Sequence, residues 1–360
     1  MFKILDRYII KRFLGSFILA ISLIISIAVI FDLSEHLTQF IDNKIPFRDI
    51  LLNYYINFVP YYANLFMFLF VFISVIFFTS KMASKSEIIA IISSGISFFR
   101  LLLPYMIAAG IIAAFSWYLG NFVIPPGNKK RVDFEEKYFY HHNPYAVRNV
   151  HKQVAPGVFL YIQFYDIRAD IAHTFSLETI ENGVLKSKLL AKYARWDSVK
   201  KSWILFDYYI RKYYDTYDKM TFGKKTDTTI NITPEYFKRF NLDITTLTLP
   251  QLNRFISEEK LRGSENINSY LLEKYKRTAY PFSTFILTFL GVTISSKKKR
   301  GGTSLNIGLG LLLSFAYIFF MQVSDQFSIK GGMNPLLAVW IPNIIFTIIS
   351  FISYYIFAPR

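Results

Sequence analysis

The stretch Asn57–Ser80 reads NFVPYYANLFMFLFVFISVIFFTS without one charged side chain, and the chain then runs directly into Lys81, Lys85, Glu87 and Arg100. A helix rising about 1.5 Å per residue crosses the ~30 Å hydrocarbon core of a bilayer within such a length. Backbone amides find no water there, and a helix satisfies them within the segment. Working outward, the same absence of charge recurs over Phe13–Phe31, Leu101–Asn128, Thr278–Ser296, Gly301–Ser324 and Gly331–Pro359. The reading is a membrane protein with six transmembrane helices, three and three, at about 13–33, 57–80, 101–124, 278–296, 303–324 and 335–357. Residues 1–124 form the first bundle, with a loop at 81–100, and residues 277–360 form the second. Between them lies an inserted β domain with a connecting helix, 125–276.

Charge supports this division. The net charge is +16 and mean hydropathy is +0.31, and most of the basic excess borders the apolar spans. Anionic lipid headgroups are the natural partner of such a pattern, and nucleic acid is not. With the N-terminus inside, the inner segments hold Lys3, Arg7, Lys11, Arg12, Lys81, Lys85, Arg100, Lys297–Arg300 and Arg360, against Lys44, Arg48 and Lys330 in the short outer loops. Both termini are therefore expected in the cytoplasm and the insert outside it. The basic start could open a signal peptide, but no small-x-small cleavage site precedes Asp32, so a retained first helix is expected. There are no cysteines, which excludes disulfides and thiol chemistry.

The insert alternates with period two. Gly157–Asp166, Thr174–Ile180, Val184–Trp196 and Thr228–Thr233 read as strands, with Glu181-Asn182-Gly183 as a turn. In a further strand, Ile204, Phe206, Tyr208 and Ile210 are expected on one face, opposite Asp207 and Arg211. Several short antiparallel strands suggest a sandwich or jelly roll. Val158–Tyr165 is apolar or aromatic on both faces, as in a doubly covered core strand or one that meets something greasy. Leu249–Lys276 looks like one amphipathic helix, with Glu273 and Arg277 spaced as a surface ion pair.

Catalytic signatures are missing. No G-x-x-x-x-G-K-[ST], H-E-x-x-H or G-x-S-x-G occurs; S-x-x-K at Ser198–Lys201 and Ser295–Lys298 stands alone. His36, His141, His142, His151 and His173 lack metal-ligand spacing, so neither a metal nor a cofactor is expected. The spans carry no mid-membrane carboxylate, with Asp32 and Asp325 only at outer ends. Any energy source must then be a partner protein.

Ser86-Glu87-Ile88-Ile89-Ala90, followed by Ser94-Gly95-Ile96-Ser97 and Arg100, resembles the cytoplasmic loop of the LptF/LptG (YjgP/YjgQ) lipopolysaccharide export permeases. So do Arg277 with Pro281, Arg300-Gly301-Gly302, Asn334-Pro335, and Trp340 with Pro342-Asn343. Leu5-Asp6-Arg7-Tyr8 and Phe31-Asp32-Leu33 look closer to the LptG branch. The resemblance implies an inner-membrane half-permease without catalytic residues. It would pair with a homologous LptF-like subunit, sit on an LptB ATPase dimer, and hand lipopolysaccharide through a periplasmic jelly roll to an LptC-like protein. Glu87, Ser94, Gly95 and Arg100 would couple to the ATPase, with Glu87 also capping a helix from N3 behind Ser84. The first and fifth helices would line the lipid cavity, and Phe159, Tyr161, Ile162, Phe164, Lys44 and Arg48 would belong to the lipid path. Where relatives often place cations for lipid phosphates, this chain has Asp32, Glu35 and His36, with Lys44 and Arg48 nearest. A rival reading is a membrane-anchored periplasmic binding or sensor protein, and a third is a lipid-modifying membrane enzyme; co-purification with an ATPase separates the first from both.

Overall fold

The computed structural model describes residues 4–139, 146–167, 169–181, 183–214, 216–240, 243–261, 264, 266–297 and 302–357. Before the insert the helices are α1 (Ile4–Asp42), α2 (Phe47–Asp49), α3 (Ile56–Leu65), α4 (Met67–Ser84), α5 (Glu87–Ser93), α6 (Phe98–Tyr118) and α7 (Ile124–Tyr138). The strands are β1 (Ala146–Ala155), β2 (Val158–Asp166), β3 (Ile171–Glu181), β4 (Val184–Asp197), β5 (Ser202–Tyr213) and β6 (Asp218–Thr228). Then come α8 (Pro234–Phe240), α9 (Leu249–Leu261), α10 (Ile267–Ser295), α11 (Gly302–Gly331) and α12 (Pro335–Phe357). The chain divides into two compact units, residues 1–138 with 244–360, and residues 139–243. Helices α7 and α9 thus group with the membrane helices while α8 stays with the strands, and the β unit is narrower than 125–276.

Among the described residues of the helical unit, six helices are long and apolar enough to span a membrane. Phe98–Tyr138 runs on through a π turn at Leu119–Val123, while the second span is broken at Phe66, where φ and ψ are −93° and 1°. Pro60, just upstream, has no N–H to give to the carbonyl of Ile56. The core forms around α4 and α10, whose most hydrophobic windows are 67% and 72% buried, against 11% for α1 and 28% for α11. On one side of α4, Val71 and Val75 pack with Ile9, Phe13, Leu101 and Tyr105; on the other, Phe72 and Ile76 pack with Leu287, Leu290, Tyr317 and Phe346. Small residues let the backbones approach. A Cβ on Gly310 would lie 2.2 Å from Ile76 Cδ1, and one on Gly291 would lie 2.9 Å from Val75 Cγ1. The single helix expected over Leu249–Lys276 is instead two, since α9 ends at Leu261 and α10 runs from Ile267 straight into the fourth span.

The β unit is one antiparallel sheet in the order β1-β2-β3-β4-β5-β6. A jelly roll needs Greek-key crossings, and every pairing here joins consecutive strands, so the topology is a meander. The strand expected at Thr228–Thr233 lies elsewhere: β6 ends at Thr228, and the chain leaves the sheet there, with Ile232 turning in to the core. One row crosses all six strands without ladder pairing: Asn149, Gln163, Thr174, Lys192, Asp207 and Lys224. In alternate strands the row residue is left-handed, with φ of 51° at Asn149, 51° at Thr174 and 48° at Asp207. At this row each of β1 to β4 loses one step of alternation, so buried side chains fall three apart: Val147 and Val150, Ile162 and Tyr165, Ala172 and Phe175, Ala191 and Ala194. This corrects the face expected for β5. Trp203 and Leu205 are fully buried before Asp207, Ile204 and Phe206 face the other way, and Tyr208 packs on the core side after it. Trp203 anchors the core, donating its Nε1–H to the carbonyl of Ile232 at 2.8 Å, while Phe237 of α8 stacks on Tyr165 at 4.0 Å. Across the opposite face, Arg148, Phe164, His173, Tyr193, Phe206 and Lys225 stand in register as a cross-strand ladder. Tyr193 and Phe206 stack in it at 4.6 Å.

Candidate functional site

The loop between α4 and α6 builds one end of the helical unit. α4 continues through Ser84, whose Oγ donates back to the carbonyl of Lys81 at 2.9 Å, so Ser84 cannot cap the next helix. Lys85 and Ser86 make the turn, with Ser86 left-handed at φ 61°, and α5 begins at Glu87 without a side-chain cap. Glu87 therefore stands at the first helical position, and the expected capping box is absent. Ile88 is 1% exposed against the bundle core, while Ile89 is 48% exposed and Ala90, Ser93, Ser94 and Gly95 are also on the surface. Gly95, at φ 86°, gives its N–H to the carbonyl of Ile92 at 2.9 Å and closes α5 in the left-handed cap that glycine permits. Ser97 then caps α6, its side chain accepting the N–H of Arg100 at 3.3 Å.

Arg100 does not stand apart from the fold. Its two terminal nitrogens donate in parallel to Asp6 Oδ1 and Oδ2, each at 2.7 Å, and the Asp6 side chain is 2% exposed. Tyr8, half a turn further along α1, donates its hydroxyl to Glu87 Oε2 at 3.3 Å. The loop and the start of α1 are thus held together across some ninety residues of chain. Nothing in the sequence reading paired Asp6 with Arg100; a buried-side carboxylate three residues from the start of an apolar helix was the available signal.

At the other end, Lys44 (φ 49°) and Arg48 are exposed. Asp32 accepts from the Tyr54 hydroxyl at 2.9 Å, with His36 Nδ1 3.5 Å from the same carboxylate oxygen. Arg277 and Glu273, expected as a surface pair, are a buried hub. Arg277 is 8% exposed, its Nε donates to Glu273 at 3.1 Å, and its terminal nitrogens donate to the carbonyls of Leu247 (2.7 Å) and Ile244 (3.3 Å). One turn on, Pro281 sits inside α10. Asn343 ties three helices, accepting from Tyr317 at 2.8 Å and donating to the carbonyl of Ala279 at 3.2 Å. Pro342 cannot donate to the carbonyl of Ala338, and Ser324 Oγ takes that place at 2.5 Å. Trp340 packs on Phe282 with ring centroids 5.2 Å apart. Gly302 starts α11, and Arg300 and Gly301 lie outside the described residues.

In the β unit, the four residues expected on a lipid path part company. Ile162 is fully buried in the core. Phe159 and Tyr161 point to the opposite face, and the break at Gln163 brings Phe164 to that face too, against His173 at 5.4 Å. A 550 Å³ groove on that face is lined by His151, Phe159, Tyr161, Thr174, Ser176 and Lys188 among others.

Among the described residues, two groups of three membrane-length helices, with a β-sheet inserted between them and buried ion pairs holding the helix ends, define a polytopic helical membrane protein. The family model for the lipopolysaccharide export system permease LptF/LptG matches residues 7–356, and the chain belongs to that family. Its members are non-catalytic permease subunits of an inner-membrane transport system that works with LptB and LptC-type partners. A search of curated proteins finds no match to the chain.

Proposed function

We propose that this chain is one half of an ABC-type lipopolysaccharide exporter, of the LptG branch, with both termini cytoplasmic and the β unit periplasmic. The family match along 7–356 carries the reading, and the excess of Lys and Arg on one side of the spans supports the orientation. In this role α5 docks the ATPase, with Glu87 and the exposed Ser94 and Gly95 toward it, and the homologous subunit completes a lateral cavity faced by α1 and α11. Their exposed Leu, Ile and Phe side chains suit such a wall, among them Leu19, Leu23, Leu312 and Phe315. Removing a multi-chain lipid into bare water would cost on the order of 50 kcal/mol at ~0.8 per methylene, so an apolar route is required. The β unit would then pass the lipid to an LptC-like protein and a bridge toward the outer membrane.

Orientation is tested with single cysteines, for which the chain offers a silent background. Val199, 93% exposed, takes the outside label. An impermeant thiol reagent applied outside the inner membrane should modify cysteine at Val199 and spare cysteine at Ser84; the reverse overturns the orientation. Coupling is tested with Glu87→Gln, which keeps the side-chain volume and removes the charge. The variant should insert normally yet stimulate its ATPase poorly and release little lipid, because losing one member of a charge pair at an interface costs about 2–5 kcal/mol. Unchanged ATPase association and transport would remove Glu87 from the interface.

A further inference from the structure

We infer that Asp6 is a positioning residue: its ion pair with Arg100, in the first turn of α6, is the grip by which movement of the segment formed by α5 and the start of α6 is passed to α1. The inference rests on the proposed function, in which α5 meets the ATPase and α1 faces the lipid.

The geometry of α1 is uneven along its length. Its first turns are held, with Asp6, Ile9, Phe13 and Phe17 buried. Ile9 and Phe13 belong to the same apolar cluster as Ile88 of α5 and Leu101 of α6, and Phe13 lies 5.9 Å from the Tyr105 ring. From Ile18 to Phe31 the helix stands largely clear of the bundle, with Ile18, Leu19, Ile30 and Phe31 60–73% exposed and Ile25 the buried exception. The far end is seated as well, through Phe40 against Tyr54, Tyr55 and Phe134. No proline interrupts Ile4–Asp42, so a shift imposed at the Asp6 end is carried along the hydrogen-bonded backbone into the exposed stretch between the two anchors.

Packing alone would let α5 and the start of α6 slide past α1, since apolar contacts are non-directional. The Asp6–Arg100 pair is directional. Two parallel N–H···O bonds of 2.7 Å fix both distance and angle, and the carboxylate is withdrawn from water. The Tyr8–Glu87 hydrogen bond adds a second fixed point half a turn away, on α5 itself. Arg100 is itself 33% exposed, so its guanidinium still reaches solvent if Asp6 loses its charge. Asp6→Asn should accordingly fold, which makes it the informative variant.

The experiment uses the full complex with its partner subunits and ATPase, reconstituted with lipopolysaccharide. ATP hydrolysed and lipid released are measured in the same sample for wild type, Asp6→Asn, Asp6→Glu, and the charge swap Asp6→Arg with Arg100→Asp. Asp6→Asn should keep ATP hydrolysis within about twofold while lipid released per ATP falls about tenfold, the scale of a typical coupling between sites. Asp6→Glu should fall between, and the swap should recover much of the loss. A purely structural ion pair would lower both activities together, and that result overturns the inference. So does Asp6→Asn with the wild-type ratio, or a swap that recovers assembly without the ratio. A wild-type complex that hydrolyses ATP and moves no lipid would overturn the functional reading, and the grip with it.

Discussion

The two units place the same residue types in opposite circumstances. In the helical unit charges are withdrawn from water: Asp6, Arg277 and Asp325 are 1%, 8% and 6% exposed, and each has its partner, Arg100, Glu273 and Lys276. In the β unit the pairs Lys188–Glu178, Lys200–Asp227 and Arg211–Asp218 lie at the surface, with side chains a third or more exposed. A buried ion cannot lose its partner without being stranded in a medium that solvates it poorly, whereas an exposed ion exchanges its partner for water. The helical unit therefore keeps its specificity in a few polar joints. The β unit keeps its own in apolar packing and in a strained row of backbone.

The hardest test of that contrast is Arg277→Ala. It strands Glu273 and leaves the carbonyls of Ile244 and Leu247 without their donor, and should cost about 3–5 kcal/mol in detergent-solubilised unfolding of the full chain. A cost under about 1 kcal/mol would erase the distinction between the units. A smaller effect of opposite sign is expected from Thr174→Gly. A β-branched residue at φ 51° carries strain that glycine does not, and amide exchange in the sheet should slow by the equivalent of about 1 kcal/mol. Faster exchange would mean that the row is held without strain. Smallest is Lys188→Ala, expected to cost about 0.5 kcal/mol or less by thermal unfolding. The Glu178 carboxylate holds the Lys188 ammonium above the ordinary lysine value of 10.5. A raised pKa contributes stability that is complete below that ordinary value and is lost as pH rises through the raised one, so the difference from wild type should stay constant at neutral pH and fade only in strong alkali.

What could be read from the sequence follows the same division. The six spans were legible because hydrocarbon leaves the backbone no alternative, and the family motifs because they lie in order along those spans. Strands β2 to β5 were legible by alternation, but β1 and β6 were not. In β6, Lys219, Gly223, Lys224 and Lys225 replace the apolar residues that would mark a face, and Gly223 is there because Tyr208 lies across it. The face of β5 was misjudged because aspartate is compatible with either an extended or a left-handed backbone, and only the neighbouring strands decide which Asp207 adopts. Arg100 read as a residue for a partner protein because its own partner, Asp6, is 94 positions away. Sequence spacing carries no trace of such a pair.

The unpaired row in the sheet also governs how this chain can lengthen or shorten in descent. On either side of it the inward residues of each strand are out of phase by one position, and the phase change falls at the same level from β1 to β5. A codon gained or lost within one strand would slide its break out of line and turn half of its apolar side chains to water. The turns at Gly157, Gly183 and Lys201 carry no phase, so insertions and deletions in descendants of this chain should gather there while the strands keep their lengths.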